Sequence, residues 1–464
     1  MSALAQLGET TQALREYDRC REALMTTLHV EPSTETKREY EKILTRTERT
    51  VKASAQPSAK ADADTHNVVS NRNRLRVGVL PFDAQDSEHA RNLAFSLSHE
   101  VAGALARFRW FDVIAPALVI DIPLASGLGN PQRQQLDYAV DGAVTRHDGH
   151  LEINVRLLDL SKSTQPIWSA RFELAGDELH RLNELVVGRI VASIDPVILL
   201  IEGQPKRKER SGATGMLLEA IPLIYSMERT KFQQAGHLIE RALEIEPDNP
   251  MALTSLAYWH LWHVGQCWTP SPAGTLSQVE NLCLKAMEID PENSDAMGIY
   301  AHTRSWKREF DSAVHFFDRA LRVNPNLAYI WALSAPTYCY IGQPDNALKR
   351  LSRYLDLSPR DPYAGFFESF LTIAHTFKRD YERAVVVGRR SVKTNPEFIN
   401  GYKPLIASLG HLGRAHNAKP YLEKPLSLEP DFTLQKFRQS YPFKFAHDRE
   451  NYIEGLRLAG VPEF

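Results

Sequence analysis

His260 and His263 stand three residues apart, a spacing that brings two imidazoles to one face of a helix, and Cys267 follows shortly after. Neutral imidazole and thiolate are ligands that a zinc ion accepts. The two histidines lie among Trp259, Leu261 and Trp262, and the pattern supplies no fourth ligand, so packing accounts for them and no metal is expected. Gly127-Leu128-Gly129-Asn130 is rich enough in glycine to suggest a phosphate cradle, which needs backbone amides at the start of a helix that follows a strand. No clear strand comes before it and Pro131 comes after it, which makes it a loop turn. No Gly-Lys-Ser/Thr loop, HExxH or GxSxG occurs in the sequence. Lys206-Arg207-Lys208-Glu209-Arg210 is a basic run whose four charges would give only weak, salt-sensitive contacts with phosphate or acidic partners, and it reads as a solvated linker. The chain is therefore read as non-enzymatic, with no catalytic, cofactor-binding or metal-binding residues.

Composition agrees with that reading. The chain has 464 residues, too many for one ordinary core, and its formal net charge of −2 offers no global field for nucleic acid or an acidic membrane. Its 4 cysteines form no CxxC pair and are too scattered for a disulfide framework, which fits a reducing cytoplasm. No stretch reaches the ~18 apolar residues of a membrane span, and the start shows no export signal. A soluble, cytoplasmic protein without membrane contact is expected.

The elements that would position any site are announced by prolines. Pro291, Pro325, Pro359, Pro396 and Pro430 follow one another at intervals of 34, 34, 37 and 34 residues, with Pro247 standing 44 before the first. A period of about 34 means stacked helical hairpins. Small residues twelve and five positions before a proline keep the same phase, as with Ala235 and Ala242, or Ala313 and Ala320, and allow two helices to approach closely. The proline then ends the second helix of each hairpin.

With Trp331, Gly342, Ala347, Leu351 and Pro359 in one copy, and Tyr402, Gly413, Ala418, Leu422 and Pro430 in another, the region resembles the tetratricopeptide repeat family. The match spans roughly residues 212 to 430. Three departures stand out: an insertion at Val264 to Thr275, expected to loop out; three extra residues near Arg360; and Pro425, expected to kink or shorten its helix. The resemblance implies an α-solenoid whose concave side, lined by the first helix of each pair, docks a protein or peptide partner. By phase, Tyr258, His302, Tyr329 and Lys403 face that groove. The family's Lys/Asn/Arg clamp for a terminal carboxylate is missing, since the matching places hold Gly298, His302, Ala332 and Pro336.

Upstream, Arg76–Phe82 reads as a buried strand, Glu88–Phe108 as an amphipathic helix and Phe111–Ile114 as a second strand, forming a βαβ unit. Tyr138–Arg146, Leu151–Leu160 and Pro166–Leu174 alternate as strands, the first two joined by a tight turn at Asp148-Gly149, and a helix closes from about Asp177 to Ile194. The runs Val77–Phe82, Asp141-Gly142, Leu157-Leu158-Asp159 and Ile167-Trp168-Ser169 make this stretch similar to the α/β domain that precedes tetratricopeptide repeats in bacterial regulators and class III adenylate cyclases, related to the amino-terminal domain of TolB.

Residues 4 to 50 read as two helices separated by Glu31-Pro32-Ser33-Thr34-Glu35. Leu7-Gly8, Ala13-Leu14, Tyr17, Cys20, Ala23-Leu24 and Leu28–Ser33 resemble the end of the bacterial transcriptional activator domain of antibiotic-regulatory-type activators. In that family a winged-helix DNA reader comes first; nothing precedes Met1, so the chain is expected not to bind DNA sequence-specifically by itself. The whole is expected to be mainly α: an activator-type helical end at 1–51, a flexible linker at 52–74, an α/β domain at 75–203, a basic linker at 204–211, repeats at 212–440 and a capping segment at 441–464. The implied role is the sensor and scaffold portion of a bacterial transcriptional regulator. The non-catalytic part of an adenylate cyclase-like protein and a free-standing scaffold stand as alternatives, and self-association stays open.

Overall fold

The computed structural model describes residues 74–84, 88–119, 136–147, 150–160, 166–175, 178, 181–204, 212–429 and 432–464. The expected helices at 4–50, the 52–74 linker up to residue 73, the Gly127–Asn130 loop, the Asp148-Gly149 turn, the basic run and Pro430 lie outside the described residues.

The α/β part forms because its apolar residues switch from a period of two to one of 3.6 and back. β1 (Arg76–Val79) is followed by α1 (Glu88–Leu105), which a short 3-10 turn at Ala106–Phe108 extends, and then by β2 (Asp112–Ile114). β3 (Tyr138–His147), β4 (His150–Asp159) and β5 (Pro166–Ala175) complete a five-stranded sheet of order β2-β1-β3-β4-β5. β1 pairs in parallel with β2 and β3, and the remaining pairs are antiparallel. Leu97, Val101 and Leu105 of α1 are fully buried, as the sequence pattern predicts. The closing helix is longer than predicted. A π-helical turn at Asn183–Val187 runs straight into α2 (Gly188–Glu202), whose Ile190, Ile194 and Ile198 are buried.

Six helical hairpins follow: α3 (Ala213–Tyr225) with α4 (Arg229–Ile245), α5 (Pro250–Gly265) with α6 (Pro272–Ile289), α7 (Ser294–Trp306) with α8 (Phe310–Val323), α9 (Ala328–Tyr340) with α10 (Pro344–Leu357), α11 (Ala364–Phe377) with α12 (Tyr381–Thr394), and α13 (Ile399–His411) with α14 (Ala415–Leu428). This is the tetratricopeptide-like solenoid that the proline period predicts. Pro247, Pro291, Pro325, Pro359 and Pro396 all fall in the turns between hairpins. Ala235, Ala242, Ala313 and Ala320 are completely buried. Inside each hairpin the turn needs one left-handed residue. Gly342 (φ 73) and Gly413 (φ 67) fill that position freely, whereas Met227, Cys267, Arg308 and Arg379 adopt φ between 52 and 63 with a side chain attached.

Two expectations are corrected. α14 runs through both Pro420 and Pro425 to Leu428 instead of stopping early. The insertion after α5 does not loop out: Trp268 packs edge-on against Phe232 at 5.1 Å, and buried Gln266 donates to the Glu397 carbonyl at 3.2 Å. An apolar indole and an amide with a waiting backbone acceptor gain more by folding inward than by hydration.

The carboxy-terminal segment packs on the last hairpin. α15 (Leu434–Ser440) and α16 (Ala446–Leu458) bury Phe437, Tyr452 and Leu456. α16 lies on α13 at backbone contact: a Cβ added to Gly410 would fall 1.9 Å from the Gly455 carbonyl oxygen. The α/β layer and the hairpins belong to one compact unit, Asn71–Phe464, and a single hydrophobic cluster runs from Leu75 to Phe398. The layer sits on the turns between hairpins. Arg109 pairs with Asp290 at 2.6 Å, Asn324 donates to the Arg107 carbonyl at 3.3 Å, and Ser193 donates to the Leu357 carbonyl at 3.3 Å.

Candidate functional site

The inner face of a helical solenoid is built from the first helix of each hairpin. Here that face curls until distant hairpins meet. Tyr225, at the end of α3, stacks on Tyr363 at 4.2 Å, and its carbonyl accepts from Asn395 at 3.2 Å. Trp262 of α5 meets Phe366 of α11 at 4.8 Å and lies 5.6 Å from Phe398, next to α13. Asn400 of α13 donates to the Gly265 carbonyl at 2.7 Å. Much of the predicted trough is therefore a core.

The four predicted groove residues divide accordingly. His302, 3% exposed, points its Nδ1 at the Leu333 carbonyl, 3.2 Å away, and burial holds its pKa down at about 4 so that it stays neutral. Lys403, 2% exposed, pairs with Glu429 at 3.0 Å beneath the rings of Phe432 and Tyr441. Neither is presented to a partner. The reason is closure of the inner face, which phase alone does not reveal. The expectation that both line an open groove is corrected. Tyr258 and Tyr329, by contrast, open onto a cavity of about 1170 Å³.

That cavity lies between the α/β layer and the inter-hairpin turns. Trp110, beyond α1, donates through Nε1 to Asp195 of α2 at 2.7 Å. Tyr329 of α9 donates its hydroxyl to Asp295 of α7 at 2.7 Å. Asp361, in the turn before α11, accepts the Tyr363 amide at 2.8 Å. Tyr363, Tyr225, Tyr258 and Tyr329 follow one another at ring separations of 4.2, 6.1 and 6.2 Å, a continuous aromatic wall.

The electrostatics of this wall are one-sided. Among the described residues, seven carboxylates and two guanidiniums line the cavity. Both guanidiniums have partners: Arg74 pairs with Asp112 at 3.4 Å, and Arg109 with Asp290 and Glu292. Burial pushes the Asp195 carboxyl up to about 8, against the hydrogen bond from Trp110 and with help from the nearby charges of Asp295 and Asp361. Burial likewise lifts Asp295 and Asp361 to about 6. Among the described residues no cation is among the causes acting on any of the three.

His260, His263 and Cys267 do not converge on a metal position. His263 lies against Trp259, 4.0 Å between ring centroids, while its Nδ1 faces the Trp259 carbonyl at 3.2 Å. The Cys267 thiol instead feels Lys403 and Glu429. Among the described residues no group of three or more His, Cys, Asp or Glu side chains is arranged to hold a metal ion, and no helix is long and apolar enough to cross a membrane.

The sequence reading missed Trp110, Asp195, Asp295, Asp361 and Tyr363. A signal for Asp195 was present, a lone carboxylate in the apolar run Ile190–Ile201, where a solvated acid has no place. Nothing local marks the others as neighbours.

Comparison with known proteins adds the following. The family model of the bacterial transcriptional activator domain matches residues 1–44. A curated relative, putative adenylate cyclase 3 of Rhizobium meliloti (strain 1021), is 25% identical over 185 residues, covering 38% of this chain and 31% of the relative. The match thus spans under a third of that relative's length. Among solved structures, YrrB, a TPR protein with an unusual peptide-binding site, aligns at a TM-score of 0.27 and 16% identity over 42% of this chain and 93% of that one. The APC/C hetero-tetramer Cut9-Hcn1 aligns at 0.40 and 14% identity over 61% of this chain and 57% of that one.

Proposed function

We propose that this chain is a non-enzymatic regulatory protein, the sensing and interaction portion of a bacterial transcriptional regulator, with base reading left to another segment or protein. The observation that carries the reading is the activator-domain match over residues 1–44 on the same chain as a helical-hairpin solenoid. The near-neutral balance of charge supports it, because sequence-independent DNA affinity comes from neutralising phosphates. Of the groove residues, Tyr258 and Tyr329 remain the proposed contacts, at the cavity, and the setting of action is the cytoplasm. The test is a reporter assay in which an unrelated DNA-binding domain is fused ahead of residue 1. The reading expects reporter expression that depends on residues 1–51, and no DNA sequence enriched from a genomic pool by the unfused chain at physiological salt. Sequence-specific enrichment by the unfused chain would overturn it.

A second reading, the non-catalytic part of an adenylate cyclase-like signalling protein, is favoured by the 25% identity to a putative cyclase. Both readings expect no cyclic nucleotide from ATP and magnesium with the purified chain. They part at the reporter, which the second leaves silent.

A further inference from the structure

The cavity beneath the α/β layer has features that a packing role leaves unexplained. Folded proteins seldom bury a carboxylate without a cation or a full set of donors. Here Asp195 and Asp361 are each 9% exposed and share one cavity with Asp295. Each receives a hydrogen bond from a neutral donor, Trp110, the Tyr363 amide or the Tyr329 hydroxyl, and among the described residues none from a cation. The Tyr258 side chain, 7% exposed and lining the same space, has a hydroxyl that meets no partner at hydrogen-bonding geometry. The volume of about 1170 Å³ is ample for a small molecule.

We propose that this cavity binds a small organic cation, its protonated amine or guanidinium received by Asp195, Asp295 and Asp361 and its carbon body lying against Tyr225, Tyr258 and Tyr329. Each component has a physical reason. Aromatic faces attract cations, most strongly away from water. Carboxylates hydrogen-bond to ammonium or guanidinium about twice as strongly as neutral acceptors do. Anions are repelled by the same wall, and neutral molecules leave the acids uncompensated. Binding a cation draws the raised carboxyls back to their charged form, so ligand uptake near neutral pH expels protons. The ligand site does not rest on the regulatory reading, and failure of either leaves the other standing.

The test is calorimetric titration of the full chain with agmatine and with n-butylamine, using n-butanol and butyrate as neutral and anionic counterparts. Both cations are expected to bind with proton release at pH 7, seen as a dependence of the heat on the ionisation enthalpy of the buffer, while butanol and butyrate give no saturable heat. Asp195→Asn keeps an oxygen for the Trp110 bond and removes the charge; it should weaken agmatine about 10-fold or more. Asp295→Asn, which keeps an acceptor for Tyr329, should act in the same direction, and Glu382→Gln, at an exposed pair with Arg414, should have no effect. Tighter binding of a short lysine-containing peptide than of butylamine would support the same chemistry with a peptide side chain as its source. Absence of saturable binding by agmatine and butylamine at millimolar concentration would overturn the proposal. So would unchanged agmatine affinity in a folded Asp195→Asn variant.

Discussion

Asp195→Asn should change how stability depends on pH, and the expected change follows from the burial of this carboxyl. Asp195 has a folded pKa of about 8 against 3.8 for the free side chain. Between these values the folded protein keeps a proton that the unfolded chain has lost, so unfolding releases a proton and stability falls as pH rises. One such group contributes a slope of about 1.4 kcal/mol per pH unit, levelling off as pH reaches the folded pKa. Over pH 6 to 8 this amounts to about 2 kcal/mol, with Asp295 and Asp361 adding most of their share below pH 6. His302, neutral in the fold, acts with the opposite sign as pH falls below the ordinary histidine value of 6.5, at the lower end of this window, and it does so equally in wild type and variant. Urea unfolding of wild type and variant at pH 6, 7 and 8 isolates the effect, because every other titrating group is common to both chains. The wild type should lose about 2 kcal/mol relative to the variant across the range. Parallel stability curves would mean that Asp195 is charged and solvated in the folded protein, and would refute the account of the cavity.

Two further outcomes follow from backbone geometry. Gly410→Ala places a methyl group 1.9 Å from the Gly455 oxygen and 2.9 Å from the Ala459 amide nitrogen, where no rotamer change relieves it. The gain of about 1 kcal/mol in helix propensity is outweighed by overpacking, for a net loss of about 1–2 kcal/mol, and proteolysis should begin within 446–464. Arg379→Gly removes an exposed side chain from a left-handed position (φ 63) and should raise stability by about 1 kcal/mol, measured as an increase in the denaturant midpoint.

The hairpin array was legible in the sequence because its signals are local. A proline fixes a turn wherever it occurs, and the buried alanines sit at constant offsets from it. The α/β strands were legible for the same reason, from their alternating residues. Contacts across the inner face were not. Trp262, Phe366 and Phe398 each look like ordinary core residues of their own hairpins, and which hairpins meet depends on small rotations accumulated from repeat to repeat. Lys403 illustrates the consequence: its phase put it on the inner face correctly, but its partner Glu429 and the cover of Phe432 and Tyr441 come from segments beyond it. The breaks in period proved to be informative. Of the three residues that lengthen the interval near Arg360, two belong to the turn that carries Asp361 and Tyr363 into the cavity and one lengthens α11, and the insertion after α5 supplies Trp268 and Gln266 as packing.

The inner face closes largely into a core, and beneath the α/β layer an acidic, aromatic cavity stands in place of an open trough. A double-mutant cycle on Trp262→Leu and Phe398→Leu tests this across the closure, since the rings lie 5.6 Å apart at 80° yet belong to the second hairpin and to the entry of the sixth. Urea unfolding of the four proteins should give a coupling energy of about 0.5–1.5 kcal/mol. Strict additivity of the two substitutions would contradict the closed inner face.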